Sequence, residues 1–359
     1  MGHKIKINTN PSRSFCYYNY KGRRIKIYNA KQFNEDIYPN KEKDIKKRTV
    51  LLKKLKKIIK SNLKLSKPSN YQLSKRRSDT LYDQSVFKER IALELYEHPS
   101  IGSKAAAHEI ANLIKEKQKN NKNCVLGLAT GSSPISIYEE LVRMHKEENL
   151  SFHNVITFNL DEYVPMKPDS RHSYHKFMFE NLFNHIDIKL DNINIPNGNI
   201  DEDNIEKHCF EFESKIKNVG GIDLQLLGIG RNGHIGFNEP GSIESSVTRK
   251  VKIEHTTRFD AADEFGGISN VPKDAISMGV KTIMEAKRIV LVAWGDNKAK
   301  VIKKSVEEDE NELVPASFLQ KHPNCLFILD KESSSQLNRM NCPWVFTDII
   351  KKPSSILSS

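Results

Sequence analysis

Cysteine, tryptophan and long apolar runs are all scarce in this chain, and each scarcity closes off a class of protein. Of 359 residues, five are cysteine and two are tryptophan. The cysteines, Cys16, Cys124, Cys209, Cys325 and Cys342, are odd in number and form no CxxC pair. That argues against a disulfide framework or a zinc site and fits a reducing compartment, so a cytoplasmic location is expected. No run approaches the ~18 apolar residues of a membrane-spanning helix. The N-terminus is charged and lacks the apolar stretch of a secretory leader. Gly2 would suit N-acylation, but Lys6 stands where Ser or Thr is required. Acidic residues are scarce in one part only. Residues 1–78 hold 23 Lys and Arg against 4 Asp and Glu, so with +12 overall the remainder carries −7. A basic arm is joined to a mildly acidic body.

What is present divides the chain into an extension at 1–78, a main domain at 79–345 and a tail at 346–359. The first forty residues mix Asn, Tyr, Lys and Arg without a clear period. Residues 44–65 place Leu51, Leu52, Leu55, Ile58, Ile59 and Leu63 near helical spacing with lysines between, which predicts a basic amphipathic helix. The extension is therefore expected to be partly helical or disordered, with a linker around 67–78. Beyond it, helical patterns at 102–119, 135–149, 175–186, 202–220 and 297–308 alternate with apolar runs at 124–129, 154–160, 222–230, 288–294 and 325–330. Such alternation predicts an α/β fold: a doubly wound, mostly parallel, Rossmann-like sheet with helices on both faces.

Ligands of such sheets bind at the carboxyl ends of strands, and three polar clusters fall there. Thr130, Gly131, Ser132 and Ser133 open a helix, where backbone N–H groups, hydroxyls and the helix dipole attract an anion. The same residues would equally serve as a capped strand–helix turn, and no Gly-Lys-Ser/Thr follows to make a Walker loop. Asp161 and Glu162 are adjacent carboxylates at a strand end, a costly pairing that suggests a function. In extended backbone they point opposite ways, so one at most faces a given ligand; the other reading is a helix cap plus a surface charge. No metal-ligand spacing accompanies them. The strongest cluster is Gly228–Pro240, where glycines surround His234 and Glu239 follows five residues on. A histidine in a glycine-rich loop at a strand end is a candidate acid–base group, with Glu239 to orient it.

The motifs Ala129–Pro134 (ATGSSP), Phe158–Tyr163 (FNLDEY) and Gly230–Pro240 (GRNGHIGFNEP), in this order and spacing, resemble the glucosamine-6-phosphate deaminase family over about residues 85–345. The resemblance implies conversion of glucosamine 6-phosphate to fructose 6-phosphate and ammonia. It implies Asp161 as the base at carbon 2, His234 as the ring-opening group, and Glu239 and Asn232 as its supports. It also implies a phosphate site of Thr130, Gly131, Ser132, Ser133 and Lys298. No metal and no organic cofactor is expected. Both monomeric and hexameric members fit the pattern, so a homo-oligomer stays open.

This chain departs from the family pattern at several positions. Asn232 stands where many members have Asp, which shifts the stabilisation of an imidazolium toward Glu239. The lid arginine used for phosphate in some members is missing from Asp260–Phe265, and Arg258 is the nearest substitute. Arg249 matches one residue of the activator site, but Val251 replaces a lysine, so activation by an acetylated amino-sugar phosphate is not expected. Cys342–Val345 resembles the end of the deaminase part in longer bacterial proteins that add a second hydrolase domain, which this chain is expected to lack. Two alternatives remain: a catalytically silent sugar-phosphate sensor, and a 6-phosphogluconolactonase-like hydrolase, which has no need of Asp161. The basic arm suggests contact with an acidic surface, lipid or nucleic acid.

Overall fold

The apolar runs become strands because each lies buried on both sides, which β-branched and aliphatic residues satisfy without polar neighbours. The structure, a computed structural model, describes residues 6–8, 15–20, 23–27, 50, 51, 53, 88–341, 350 and 351. The chain divides into two units, Met1–Lys88 with Asn338–Ile349 and Glu89–Leu337 with Ile350–Ser359.

In the first unit, β1 (Lys6–Asn8), β2 (Phe15–Tyr20) and β3 (Arg23–Ile27) form an antiparallel sheet in the order β1-β2-β3. Tyr18 pairs with Ile25 and Tyr20 with Arg23. The sequence reading found no period here. The signal is the β-favouring aromatic run of β2, two residues away from the next strand, which is hairpin spacing. Positions 50, 51 and 53 are helical, and the rest of the expected basic helix lies outside the described residues, as do Cys342–Val345.

The second unit begins with β4 (Ala92–Tyr96), α1 (Pro99–Lys119), β5 (Cys124–Leu128) and α2 (Ile135–Glu148). It continues with β6 (Val155–Asn159), β7 (Asp161–Val164), α3 (Tyr174–Asn181), β8 (Ile193–Asn194), α4 (Ile205–Asn218) and β9 (Leu224–Leu227). Next come β10 (Arg249–Lys252), α5 (His255–Ala261), β11 (Asp274–Ser277) and α6 (Val280–Met284). The last elements are β12 (Ile289–Ala293), α7 (Ala299–Glu307), β13 (Cys325–Asp330) and β14 (Ile350–Lys351). The main sheet has eight strands in the order β14-β4-β13-β12-β9-β5-β6-β8, paired parallel throughout. Ile350 pairs with Leu95, so part of the expected tail is an edge strand.

The expected parallel α/β sheet is present. Helix α1 lays Ala106, Ala107, Ile110, Ala111 and Ile114 into the core, the i, i+3, i+4 stripe its sequence announces. No described helix is long and apolar enough to cross a membrane. Not anticipated was a second, antiparallel sheet, β10-β11-β7. It forms because β7 starts directly beyond β6, pairing Asp161 with Ser277 and Glu162 with Ile276. The strand order runs outward in opposite directions from β5 and β9. The loops after these two neighbours therefore part and leave a crevice at their carboxyl ends.

Candidate active site

Four adjacent strands, β12, β9, β5 and β6, bring the sequence-predicted residues to one sheet edge. The loop after β5 turns at Gly131, whose φ of +91° suits a residue without a side chain. Gly131 and Ser132 are exposed, and Thr130 and Ser133 half-buried, ahead of the 14-residue helix α2. Tyr138 Oη donates to Ala129 O at 2.5 Å and Trp294 Nε1 to Ser133 O at 3.0 Å, which ties this loop to the end of β12.

Asp161 and Glu162 diverge as extended neighbours must. The Glu162 carboxylate accepts N–H bonds from Tyr163, Tyr174 and His175 at 2.9, 3.0 and 2.9 Å, so it caps α3. Asp161 turns to the other side, 5% exposed. A Cβ built on Gly236 would lie 3.3 Å from its Oδ2, which places the carboxylate against the histidine loop. Burial, and then the charge of Glu162, push the Asp161 carboxyl up to about 8. Burial pushes Glu162 up to about 7, while its three N–H donors pull against it. Burial thus raises both carboxyls, and Glu162 is the one whose charged form is favoured by N–H donors.

The histidine loop closes on itself: Gly230 N donates to His234 O and Gly233 N to Gly230 O, both at 3.0 Å. Gly230 is required for space, since a Cβ there would sit 2.1 Å from His234 Cε1. Asn232 Oδ1 lies 2.8 Å from His234 Nδ1, and Glu239 Oε2 lies 3.3 Å from it. Asn232 Nδ2 donates to Glu239 Oε2 at 2.8 Å, so its oxygen faces the ring. Burial pushes Glu239 up, but the bonds from His234, Thr257 and Asn232 outweigh it and hold the carboxyl below its ordinary value. His234 is thus oriented with Nδ1–H toward Asn232 and the Nε2 lone pair free.

Lys298 is half-buried and its Nζ donates to Ile229 O at 2.7 Å, at the end of β9. Burial lowers its ammonium pKa, Asp260 opposes this and Arg231 adds to it. It is not one more solvated lysine. Arg258, the expected substitute for the lid arginine, donates from its guanidinium to Ile268 O at 2.8 Å and Val271 O at 3.2 Å, which ties it to its own loop. Arg249 donates to Asn238 Oδ1 at 3.0 Å and so braces the loop from behind. Two neighbours escaped the sequence reading. Arg231 is ion-paired with Asp260, Nε to Oδ2 at 2.8 Å, and Thr257 lies 3.2 Å from His234 Nδ1. Adjacency to Asn232 was the available signal for Arg231; Thr257 had none. Among the described residues, no group of His, Cys, Asp and Glu is arranged to hold a metal ion.

A profile of the family described as glucosamine-6-phosphate isomerases/6-phosphogluconolactonase matches residues 100–327. A glucosamine-6-phosphate deaminase of Thermoanaerobacter pseudethanolicus is 48% identical over 225 residues, 63% of this chain and 88% of that protein. One of Alkaliphilus oremlandii is 45% identical over 240 residues, 67% of this chain and 99% of its own. A glucosamine-6-phosphate deaminase-like protein of Bacteroides thetaiotaomicron is 45% identical over 273 residues, 76% of this chain but only 41% of its own length. The solved structure of a monomeric glucosamine-6-phosphate deaminase superposes with a TM-score of 0.66 at 42% identity, covering 68% of this chain and all of that one. A 6-phosphogluconolactonase of Trypanosoma brucei reaches a TM-score of 0.58 at 20% identity over 69% of this chain and 99% of its own, a likeness of fold.

Proposed function

Because the chain belongs to the family of glucosamine-6-phosphate isomerases and 6-phosphogluconolactonases, we infer from its site that it converts glucosamine 6-phosphate and water to fructose 6-phosphate and ammonia. The observation that carries this reading over the lactonase alternative is Asp161. Its buried carboxyl is raised to about 8 and lies against the histidine loop. Lactone hydrolysis moves no carbon-bound proton and has no use for it. A base that exchanges its proton near neutrality suits removal of the carbon-2 proton. The relatives at 45–48% identity are named as deaminases.

In this reading, Thr130, Gly131, Ser132, Ser133 and Lys298 hold the phosphate. His234 Nε2 takes the anomeric hydroxyl proton and returns one to the ring oxygen, which opens the ring. Asn232 and Glu239 keep Nδ1–H toward themselves and support the imidazolium that forms. Asp161 removes the proton on carbon 2, giving an enolamine, and delivers a proton to carbon 1. The resulting ketimine adds water and expels ammonia, leaving the ketose phosphate.

The test is incubation with glucosamine 6-phosphate, and separately with 6-phosphogluconolactone, while ammonia and ketose phosphate are measured. Equimolar ammonia and fructose 6-phosphate, with deuterium at carbon 1 when the solvent is D2O, are expected. Lactone hydrolysis without ammonia would establish the lactonase instead. Phosphate-sugar binding with neither product would establish a sensor.

A further inference from the structure

The two halves of the candidate phosphate site grow from strands that are not neighbours. The Thr130–Ser133 loop follows β5 and the turn that carries Lys298 follows β12, with β9 between them. Two strand spacings amount to roughly 10 Å, so the registry of the two halves at the sheet edge depends on side chains that reach across. Helix α2 does not fix its own entry, since Pro134 at its N-cap makes no side-chain cap bond.

Trp294 makes that reach. It is half-buried at the end of β12, and its Nε1 donates to Ser133 O at 3.0 Å. The Ser133 carbonyl belongs to the planar peptide that enters α2, so its direction sets where the loop residues before it point. The far edge of the indole lies against α1. A Cβ built on Gly102 would sit 2.7 Å from Trp294 Cη2 and 2.9 Å from Cζ3. Glycine inside a helix is unfavourable relative to alanine, and here it makes room for the indole. The backbone behind the ring is held as well. Gly295 N donates to both carboxylate oxygens of Asp330, at 3.1 and 3.2 Å, and Ser333 N donates to Asp330 Oδ1 at 2.8 Å. Gly295 O accepts from Lys298 N at 3.2 Å, and Lys298 Nζ donates to Ile229 O at 2.7 Å. Loop, indole, turn and lysine thus form one hydrogen-bonded chain across the sheet edge.

We propose that Trp294 is a positioning residue for the phosphate: its indole N–H, backed by Gly102 of α1, holds the Thr130–Ser133 loop in register with Lys298. The anion then meets a cradle already formed, and affinity gains because less ordering is left to binding. The assignment rests on the deaminase reading for the identity of the phosphate ester. It leaves the reacting carbons untouched, so its effect falls on binding.

The test uses the full chain with Trp294→Phe, which removes the N–H and keeps an aromatic ring, with Gly102→Ala, which pushes on the indole from α1, and with both together. KM and kcat for glucosamine 6-phosphate are measured, with inhibition by inorganic phosphate alongside. Trp294→Phe is expected to raise KM about three- to tenfold, the effect of one neutral hydrogen bond. Phosphate inhibition should weaken by a similar factor, while kcat stays within about twofold. Gly102→Ala should move KM and phosphate inhibition in the same direction. In the double variant the shorter Phe relieves the collision, so the loss should be no greater than in Trp294→Phe alone, a departure from additivity. Full multiplication of the two single effects would overturn the proposal. So would an unchanged KM in folded Trp294→Phe, or a fall in kcat without a rise in KM. If Trp294→Phe does not fold, Gly102→Ala decides by the same two readouts. If the parent releases no ammonia, the deaminase reading fails, and calorimetric binding of glucosamine 6-phosphate replaces KM. Tighter binding by the parent than by Trp294→Phe then keeps the proposal, and a parent that binds no sugar phosphate overturns both.

Discussion

Asp161 offers a perturbation whose stability and activity effects have opposite signs. Its carboxyl is 5% exposed and raised from the usual 3.8 to about 8, chiefly by burial. A raised carboxyl favours the protonated form in the folded state. Its contribution to stability is therefore complete below the ordinary carboxylate range and is lost as pH rises through about 8. Asp161→Asn keeps the shape of the protonated side chain and has no proton to lose. Near pH 3.5, below the ordinary value of 3.8, the two proteins should be about equally stable. By pH 8 the interval above 3.8 corresponds, at about 1.4 kcal/mol for each pH unit, to a ceiling of about 6 kcal/mol. Glu162 titrates in the same window and water entry relieves part of the burial cost, so an advantage of about 2–4 kcal/mol for the variant is expected. Urea denaturation of both proteins at the two pH values reads it as a shift in midpoint at constant slope. Turnover should move the other way, falling by at least ~100-fold because an amide cannot take the carbon-2 proton. A variant advantage equal at both pH values, or a variant less stable at the higher one, would refute the placement of Asp161 as a carboxyl neutral by burial.

Gly230→Ala places a methyl 2.1 Å from His234 Cε1 and should displace the ring, lowering kcat about 10–100-fold with the fold retained by circular dichroism. Lys298→Ala should raise KM for the sugar phosphate by the equivalent of about 1–3 kcal/mol while kcat changes little, since a phosphate remote from the reacting carbons is held alike in ground and transition states. Removal of residues 1–78, which carry the +19 excess of the chain, should leave turnover intact. It should abolish any low-salt retention on anionic vesicles or RNA, and a folded but inactive shortened chain would show that the arm serves the active site.

The sequence by itself determined the parallel sheet and the placing of the candidate site residues after its strands. Fully apolar runs such as Ile289–Ala293 and Cys325–Asp330 have little alternative to burial on both faces. In a sheet of that kind the polar residues that follow the strands must collect at one edge, and Thr130, Asp161, His234 and Lys298 do so. Local rules also anticipated that Asp161 and Glu162 would part, because extended neighbours alternate. Which of them would be the cap and which the free carboxyl was decided by tertiary structure. It depends on β7 pairing with β11, more than a hundred residues later in the chain, and on α3 presenting its first N–H groups to Glu162. Arg258 shows the same limit. Its position beside the lid suggested a phosphate ligand, and the two loop carbonyls to which its guanidinium donates were set by the fold. Thr257 was invisible for the converse reason. A threonine in a short amphipathic stretch carries no signal until α5 folds back and sets its hydroxyl 3.2 Å from the imidazole. Strand and helix follow from periodicities within a few residues, whereas the partner of a polar atom depends on which distant segment arrives with the complementary donor or acceptor.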